Sequence, residues 1–220
     1  MFIEAFSMFV ELRLDCTQMR RKPDGDQRRR DLCDAAIAVL AERGAKGLSH
    51  IKVDRAAAVA EGTTSAYFRT RSALLIATTE RVVELDLIGL QMAKSAAAGE
   101  NQQLPRLADV VAAAAAEPHL TRAKARYELN MLATREPAIL ELVHRANEGF
   151  VDLYRDMTLR LLPDGQELPS SVVDDLSAIT QTFISGLLGR YAIGDFSISD
   201  PDEIDRLIRK MVRGVLDEQP

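Results

Sequence analysis

The 220-residue chain has no tryptophan, two cysteines and three histidines, and aromatic residues make up only 5% of it. Cys16 and Cys33 have neither the spacing of metal ligands nor the number of a disulfide framework, which suits a reducing cytosol. His50, His119 and His144 are scattered and have no cysteine companions, so no metal site is expected. The sequence contains no glycine-rich phosphate loop, no H-E-x-x-H run and no Ser/His/acid set, so neither an enzyme nor a cofactor is expected. A membrane span is missing too. The stretch "MFIEAFSMFVELRL" is interrupted by Glu4 and Glu11, lacks a basic start and a small-residue cleavage site, and is too short to cross a bilayer. It reads as an amphipathic helix on the body, as sequence ahead of a later start at Met19, or as a membrane-surface contact. No stretch alternates as a half-buried strand would, and no internal repeat is visible.

Alanine and leucine dominate what remains, and both favour helix. The overall charge of −5 argues against a polyanionic partner, but the distribution of charge points the other way. Residues 20–81 carry 13 basic and 8 acidic side chains, whereas residues 82–220 carry 14 and 22. A small basic module therefore precedes a larger acidic one, and only the first is suited to a polyanion.

Apolar periodicity predicts helices over 27–43, 50–57, 61–68, 71–97, 104–116, 121–135, 137–161, 171–190 and 202–217. In the first, Leu32, Ala36, Val39 and Leu40 share a face, and Gly44 is placed to stop it. Ser49 is suited to cap the second, with Ile51 and Ala56 facing inward, and Thr70 to cap the fourth. Asp200-Pro201-Asp202-Glu203 combines a cap, a first-turn proline and first-turn acids. The chain is thus expected to be all-α. Residues 1–26 form an extension, 27–72 an N-terminal helix-turn-helix domain, and 73–220 a larger helical bundle.

Acids normally sit at helix starts, where the macrodipole is positive. The C-terminal helices obey this rule. The basic module breaks it, with Arg28, Arg29 and Arg30 opening one helix, His50 and Lys52 a second and Arg71 a fourth. Cations beside free backbone N–H groups make sense where phosphates will sit. The segments 50–57 and 61–68 form a helix-turn-helix whose second helix would enter a major groove of double-stranded DNA. In that arrangement Gly62 opens the recognition helix and Thr63, Thr64 and Ser65 address base edges. Tyr67 reaches a phosphate or a base, and Arg69 and Arg71, with Arg28, Ser49, His50 and Lys52, address the backbone. Phe68 is expected in the core.

The run "DAAIAVLAERGAKGLS" followed by "VDRAAAVAEGTTSAYFRTRSALL" resembles the DNA-binding domain of the tetracycline-repressor (TetR) family of bacterial regulators. Gly62-Thr63 match the family's opening of the recognition helix, Tyr67 its DNA-contacting aromatic, and Arg71 a phosphate-contacting lysine. Ser65 stands where a tyrosine is frequent, and Ala58 replaces the glycine common in the turn.

That resemblance implies a cytoplasmic, ligand-responsive regulator, a repressor by family habit, whose C-terminal domain dimerises and binds a small-molecule effector. Homodimerisation also follows from geometry, because a recognition helix of about 12 Å reads only a few base pairs and a palindromic operator needs two. The segment "ITQTFISGLLGRYAIG", with Gly186 and Gly189 spaced for close helix approach, places the dimer seam on the last two helices. Effector contacts are expected from Tyr127, Met131, Phe150 and Phe183 as apolar walls, and from His119, Arg126 and Asn130 as polar groups. Two other readings stay open: an all-α enzyme, and a protein-interaction module that uses the helix-turn-helix only as scaffold.

Overall fold

The computed structural model describes residues 25–96, 107–159 and 168–217. Nine helices lie among these residues: α1 Gly25–Gly47, α2 His50–Ala56, α3 Thr63–Tyr67, α4 Arg71–Ala96, α5 Leu107–Ala113, α6 His119–Ala133, α7 Pro137–Leu159, α8 Ser170–Ala192 and α9 Pro201–Asp217. No strand occurs among them, and the all-α expectation holds. Most of the expected extension, residues 1–24, falls outside the described residues.

The capping signals are used much as they read. Ser49 accepts the Lys52 N–H at 3.4 Å, Thr70 accepts the Ala73 N–H at 3.1 Å, and Asp200 accepts the N–H groups of Asp202 and Glu203, both at 3.0 Å. Gly44 behaves differently from expectation. It adopts φ 64°, ψ 176°, and the chain then makes one further helical turn to Gly47 instead of stopping. The extra turn is held from outside: the Ala45 N–H donates to Glu128 on α6 at 2.9 Å, and the Ala45 carbonyl accepts from Arg71.

Two apolar cores organise the chain. The first gathers Leu32, Ala36, Ile37, Val39 and Leu40 of α1, Val53 of α2, Phe68, and Leu74, Leu75 and Val82 of α4, together with Ala125, Leu129 and Ala133 of α6 and Ile139 of α7. The second joins Leu107 and Val111 of α5, Val172, Leu176, Ile184, Leu187 and Tyr191 of α8, and Ile204, Ile208 and Val212 of α9. Helix α6 packs on α1, α4, α7 and α8, so it connects the N-terminal helices to the bundle. The expected inward face of α2 is corrected: Ile51 is half exposed and Ala56 exposed, whereas Val53 and Asp54 are wholly buried. An acid in an inward position concealed the buried face from an apolar pattern.

Candidate nucleic-acid interface and effector region

The short helix α3 has only five residues, too few to hold itself together by backbone bonds. Asp54 holds its start. This carboxylate has no exposed surface and accepts the Gly62 N–H at 2.8 Å, the Thr64 N–H at 2.7 Å and the Thr64 hydroxyl at 2.5 Å. Burial alone would raise its titration, but the hydrogen bonds from Thr64 and Gly62 outweigh burial and hold the carboxyl below its ordinary range. The reading from sequence missed Asp54, although an acid on α2 ahead of a Gly-Thr-Thr start is the signal that points to it. Gly62 sits at φ 91°, a left-handed conformation that suits glycine. The turn itself is closed by Ala58 N–H to Arg55 O at 3.2 Å and Val59 N–H to Asp54 O at 3.0 Å, with Ala58 at φ 50°.

The far end of α3 is also anchored. Phe68 is buried, as expected, with the Arg29 guanidinium 4.7 Å from its ring centre. Arg29 also donates to the Tyr67 carbonyl at 3.2 Å, and the His50 ring Nε2 lies 2.7 Å from the Phe68 carbonyl.

The cations at the helix starts accordingly divide into two groups. Lys52 donates to the Gly47 carbonyl at 2.9 Å, and Arg71 donates to the carbonyls of Ala45 and of Leu48, the latter at 3.3 Å. These side chains complement the negative C-terminal end of α1, which accounts for their positions without any outside anion. Ser49 is occupied as a cap and His50 as a tie to Phe68. Arg28 and Arg69, in contrast, have no ion pair or hydrogen bond among the described residues.

Thr64 requires a correction. Its side chain is completely buried against Asp54, so it has no surface to offer a base. Thr63 donates to the Ala60 carbonyl at 2.6 Å and Ser65 to the Gly62 carbonyl at 2.8 Å, which leaves oxygen lone pairs on both as acceptors. The outward side of the motif consists of Gly62, Ser65, Ala66 and Arg69, flanked by half-buried Thr63 and Tyr67. Ala66, which sequence pattern did not single out, supplies an exposed methyl.

The candidate effector residues are not brought to one place. His119 and Arg126 meet at Asp86 of α4 through Arg122, which the sequence pattern did not select. Asp86 Oδ1 lies 2.8 Å from Arg122 Nε and 2.6 Å from an Arg126 terminal nitrogen, and Arg122 is 2.8 Å from His119 Nδ1. Tyr127 faces the opposite neighbour: its hydroxyl donates to the Ser185 carbonyl on α8, and a Cβ at Gly189 would stand 2.9 Å from it. Phe183 is half buried against the second core, and Phe150 is half buried on α7. Met131 is 66% exposed and Asn130 is exposed, so neither walls an interior space in the single chain. Apolar spacing placed Met131 inward, but the inward side of this part of α6 is taken by Leu129 and Ala133. No group of three or more potential metal ligands lies among the described residues, and none of their helices is long and apolar enough to cross a membrane.

A short basic helix-turn-helix anchored on a larger helical bundle defines a DNA-binding transcriptional regulator. The family described as "Tetracyclin repressor-like, C-terminal domain" matches residues 99–218, and the chain belongs to the TetR family. The match falls on the half of the chain that the sequence motifs did not cover. Among solved structures, a transcriptional regulator from Rhodococcus sp. Rha1 is similar over 86% of this chain and 96% of its own, at 18% identity and a TM-score of 0.66. A TetR-family member from Streptomyces coelicolor A3 aligns over 86% and 98%, at 22% identity and a TM-score of 0.63. The multidrug binding protein EbrR, complexed with ethidium, aligns over 89% and 99%, at 23% identity and a TM-score of 0.56. No curated protein matches.

Proposed function

We propose that this chain is a ligand-responsive repressor that binds a palindromic operator as a homodimer in the cytoplasm and releases it when a small molecule binds the helical bundle. The observation that carries this reading is the one-sided anchoring of α3. Thr64 and Phe68 fix its inner side, while Gly62, Ser65, Ala66 and Arg69 present a small, polar, cationic strip outward. Small side chains let a short helix approach base edges closely, Ala66 can meet a thymine methyl, and Arg28 and Arg69, without a partner among the described residues, can address phosphates.

A second copy would seat on α8, whose exposed side carries Ala178, Ile179, Thr182, Ser185 and Gly186. The exposed side of α9 is instead Arg206, Arg209, Lys210 and Arg213, so the seam centres on α8 rather than being shared equally. EbrR in complex with ethidium supports a small-molecule effector for this chain. Transmission would pass along α6, which touches Gly189 of α8 through Tyr127 and the Gly44 kink of α1 through Glu128.

The test is fluorescence-anisotropy titration against the DNA upstream of the chain's own coding sequence, across a salt series. Binding should weaken steeply with salt, and Arg69→Ala should lower the log–log slope by about one with no loss of helicity. An affinity indifferent to salt and to Arg69→Ala would remove the reading.

A further inference from the structure

We propose that Arg122 and Arg126 of α6, with His119, form an anion-binding subsite that takes an oxyanion group, carboxylate or phosphate, of the small-molecule effector. The inference rests on the effector reading above and assigns its chemical class.

Charge balance comes first. A single Asp86 oxygen faces both guanidiniums, so among the described residues two positive charges share one negative charge in a partly buried cluster. The side chains are 8% exposed for Asp86, 17% for Arg122 and 28% for Arg126, which leaves the arginines within reach of a ligand and the carboxylate beneath them. Arg81, on the same helix as Asp86, shows the opposite arrangement. Its guanidinium meets Asp34 at 2.7 Å and Glu84 at 2.8 Å, two carboxylates for one cation.

Unused donors point the same way. The Nε groups of Arg122 and Arg126 are both sealed from solvent without a hydrogen bond among the described residues. Arg122 Nε lies at ion-pair distance from Asp86, but its N–H is not aimed along a hydrogen bond. A buried donor without an acceptor is costly, so the cluster is not a fully satisfied clamp, and a carboxylate or phosphate would meet the other nitrogens of the two guanidiniums. His119 extends the set. Arg122 can only donate, so His119 Nδ1 accepts, and the ring carries its proton on Nε2 as a further donor. Burial first, and then the Arg122 cation, hold His119 below its ordinary titration, which keeps the ring neutral. Burial first, with Arg126 and Arg81 adding to it, lowers Arg122 against the opposing pull of Asp86.

The start of α6 is served separately, by the Glu117 carboxylate, which accepts the Thr121 N–H at 3.2 Å. A simple clamp of α4 to α6 would need one arginine per carboxylate. A second arginine with idle donors fits an incoming anion.

The experiment uses the purified full chain at fixed ionic strength. Thermal melting and calorimetric titration are run with sodium octanoate, sodium benzoate and inorganic phosphate, and with octanamide and benzamide as uncharged counterparts. At least one anion is expected to bind at one per chain and raise the melting temperature, while its amide does not. Arg126→Gln leaves the Asp86–Arg122 pair in place and should weaken anion binding by about tenfold or more, whereas Lys124→Gln, an equal change of charge on the same helix, should not. If Arg126→Gln loses helicity, Arg126→Lys gives the same test by keeping the charge and losing the fork. Absence of binding by every anion, equal binding of acid and amide, or equal weakening by Lys124→Gln would overturn the inference and leave the cluster as a clamp. DNA binding is measured on the same preparation. DNA binding without anion binding removes the subsite alone, and anion binding without DNA binding removes the regulator reading alone.

Discussion

Glu128 and Ala45 lie 83 positions apart, and the Glu128 carboxylate accepts the Ala45 N–H at 2.9 Å just beyond the Gly44 kink. The carbonyl of the same residue accepts from Arg71 at the start of α4. One residue of α1 thus joins α6, which carries the candidate effector cluster, to the helix that follows the recognition helix. Gly44 suits this site in two ways. Its φ is positive, and a Cβ would lie 3.0 Å from Glu128 Oε2.

Glu128→Ala would leave the Ala45 amide without this acceptor. Glu128 is itself exposed, so the cost to global stability should be small, about 1 kcal/mol by chemical denaturation. The local effect should be clearer: amide hydrogen exchange at Ala45 should speed up by about tenfold while exchange in α8 stays unchanged. Unchanged exchange at Ala45 would show that the contact does not hold the kink.

Asp54 should matter more, because it is wholly buried and three donors converge on it. Asp54→Ala should cost about 2–4 kcal/mol and abolish DNA binding, since Gly62 and Thr64 would lose the acceptor that starts α3. The pH dependence has a defined sign. The folded carboxyl is held below its ordinary value, so its stabilisation is present above about pH 4 and is lost as pH falls through the lower folded value. Acid titration of the wild type should therefore loosen the helix-turn-helix below about pH 4, and Asp54→Asn should remove that component.

The helix boundaries and the first core were legible because Leu32, Ala36, Val39 and Leu40 repeat at helical spacing, and all four are buried. Cap residues were legible for the same local reason. What pattern could not show was the direction of polar side chains. Lys52, His50 and Arg71 read as phosphate ligands, but their partners are carbonyls up to 26 positions away, which no local rule locates. Thr64 and Asp54 escaped because a buried polar pair breaks the apolar stripe that marks an inward face. Met131 failed in the opposite sense, as an apolar residue on an outward face.

Ala58 offers a prediction of increased stability. It holds φ 50°, where residues other than glycine are disfavoured by about 1 kcal/mol. Ala58→Gly would relieve that strain, and the added freedom of the unfolded chain offsets part of the gain. The net effect should lie between zero and about 0.5 kcal/mol of stabilisation in a denaturant titration, with unaltered DNA affinity. A loss of more than about 1 kcal/mol would contradict the turn geometry.

Two glycines on α8 should respond in opposite ways, and together they test the dimer. A Cβ at Gly189 would stand 2.9 Å from the Tyr127 hydroxyl, so Gly189→Ala should push Tyr127 off the Ser185 carbonyl and cost about 1–3 kcal/mol. In a cycle with Tyr127→Ala the two losses should fall short of adding, because they share one contact. Gly186 is exposed, and nothing lies within 4 Å of a Cβ placed there. Gly186→Ala should therefore stabilise the isolated helix by up to about 1 kcal/mol. A bulky side chain at the same position changes only what a second copy could meet. Gly186→Leu should leave the far-ultraviolet spectrum of the chain intact but shift it from dimer to monomer in sedimentation analysis, with a parallel loss of affinity for a two-half-site operator. If Gly186→Leu sediments as the wild type does, the exposed side of α8 is not where two chains meet, and the seam must be sought on another face.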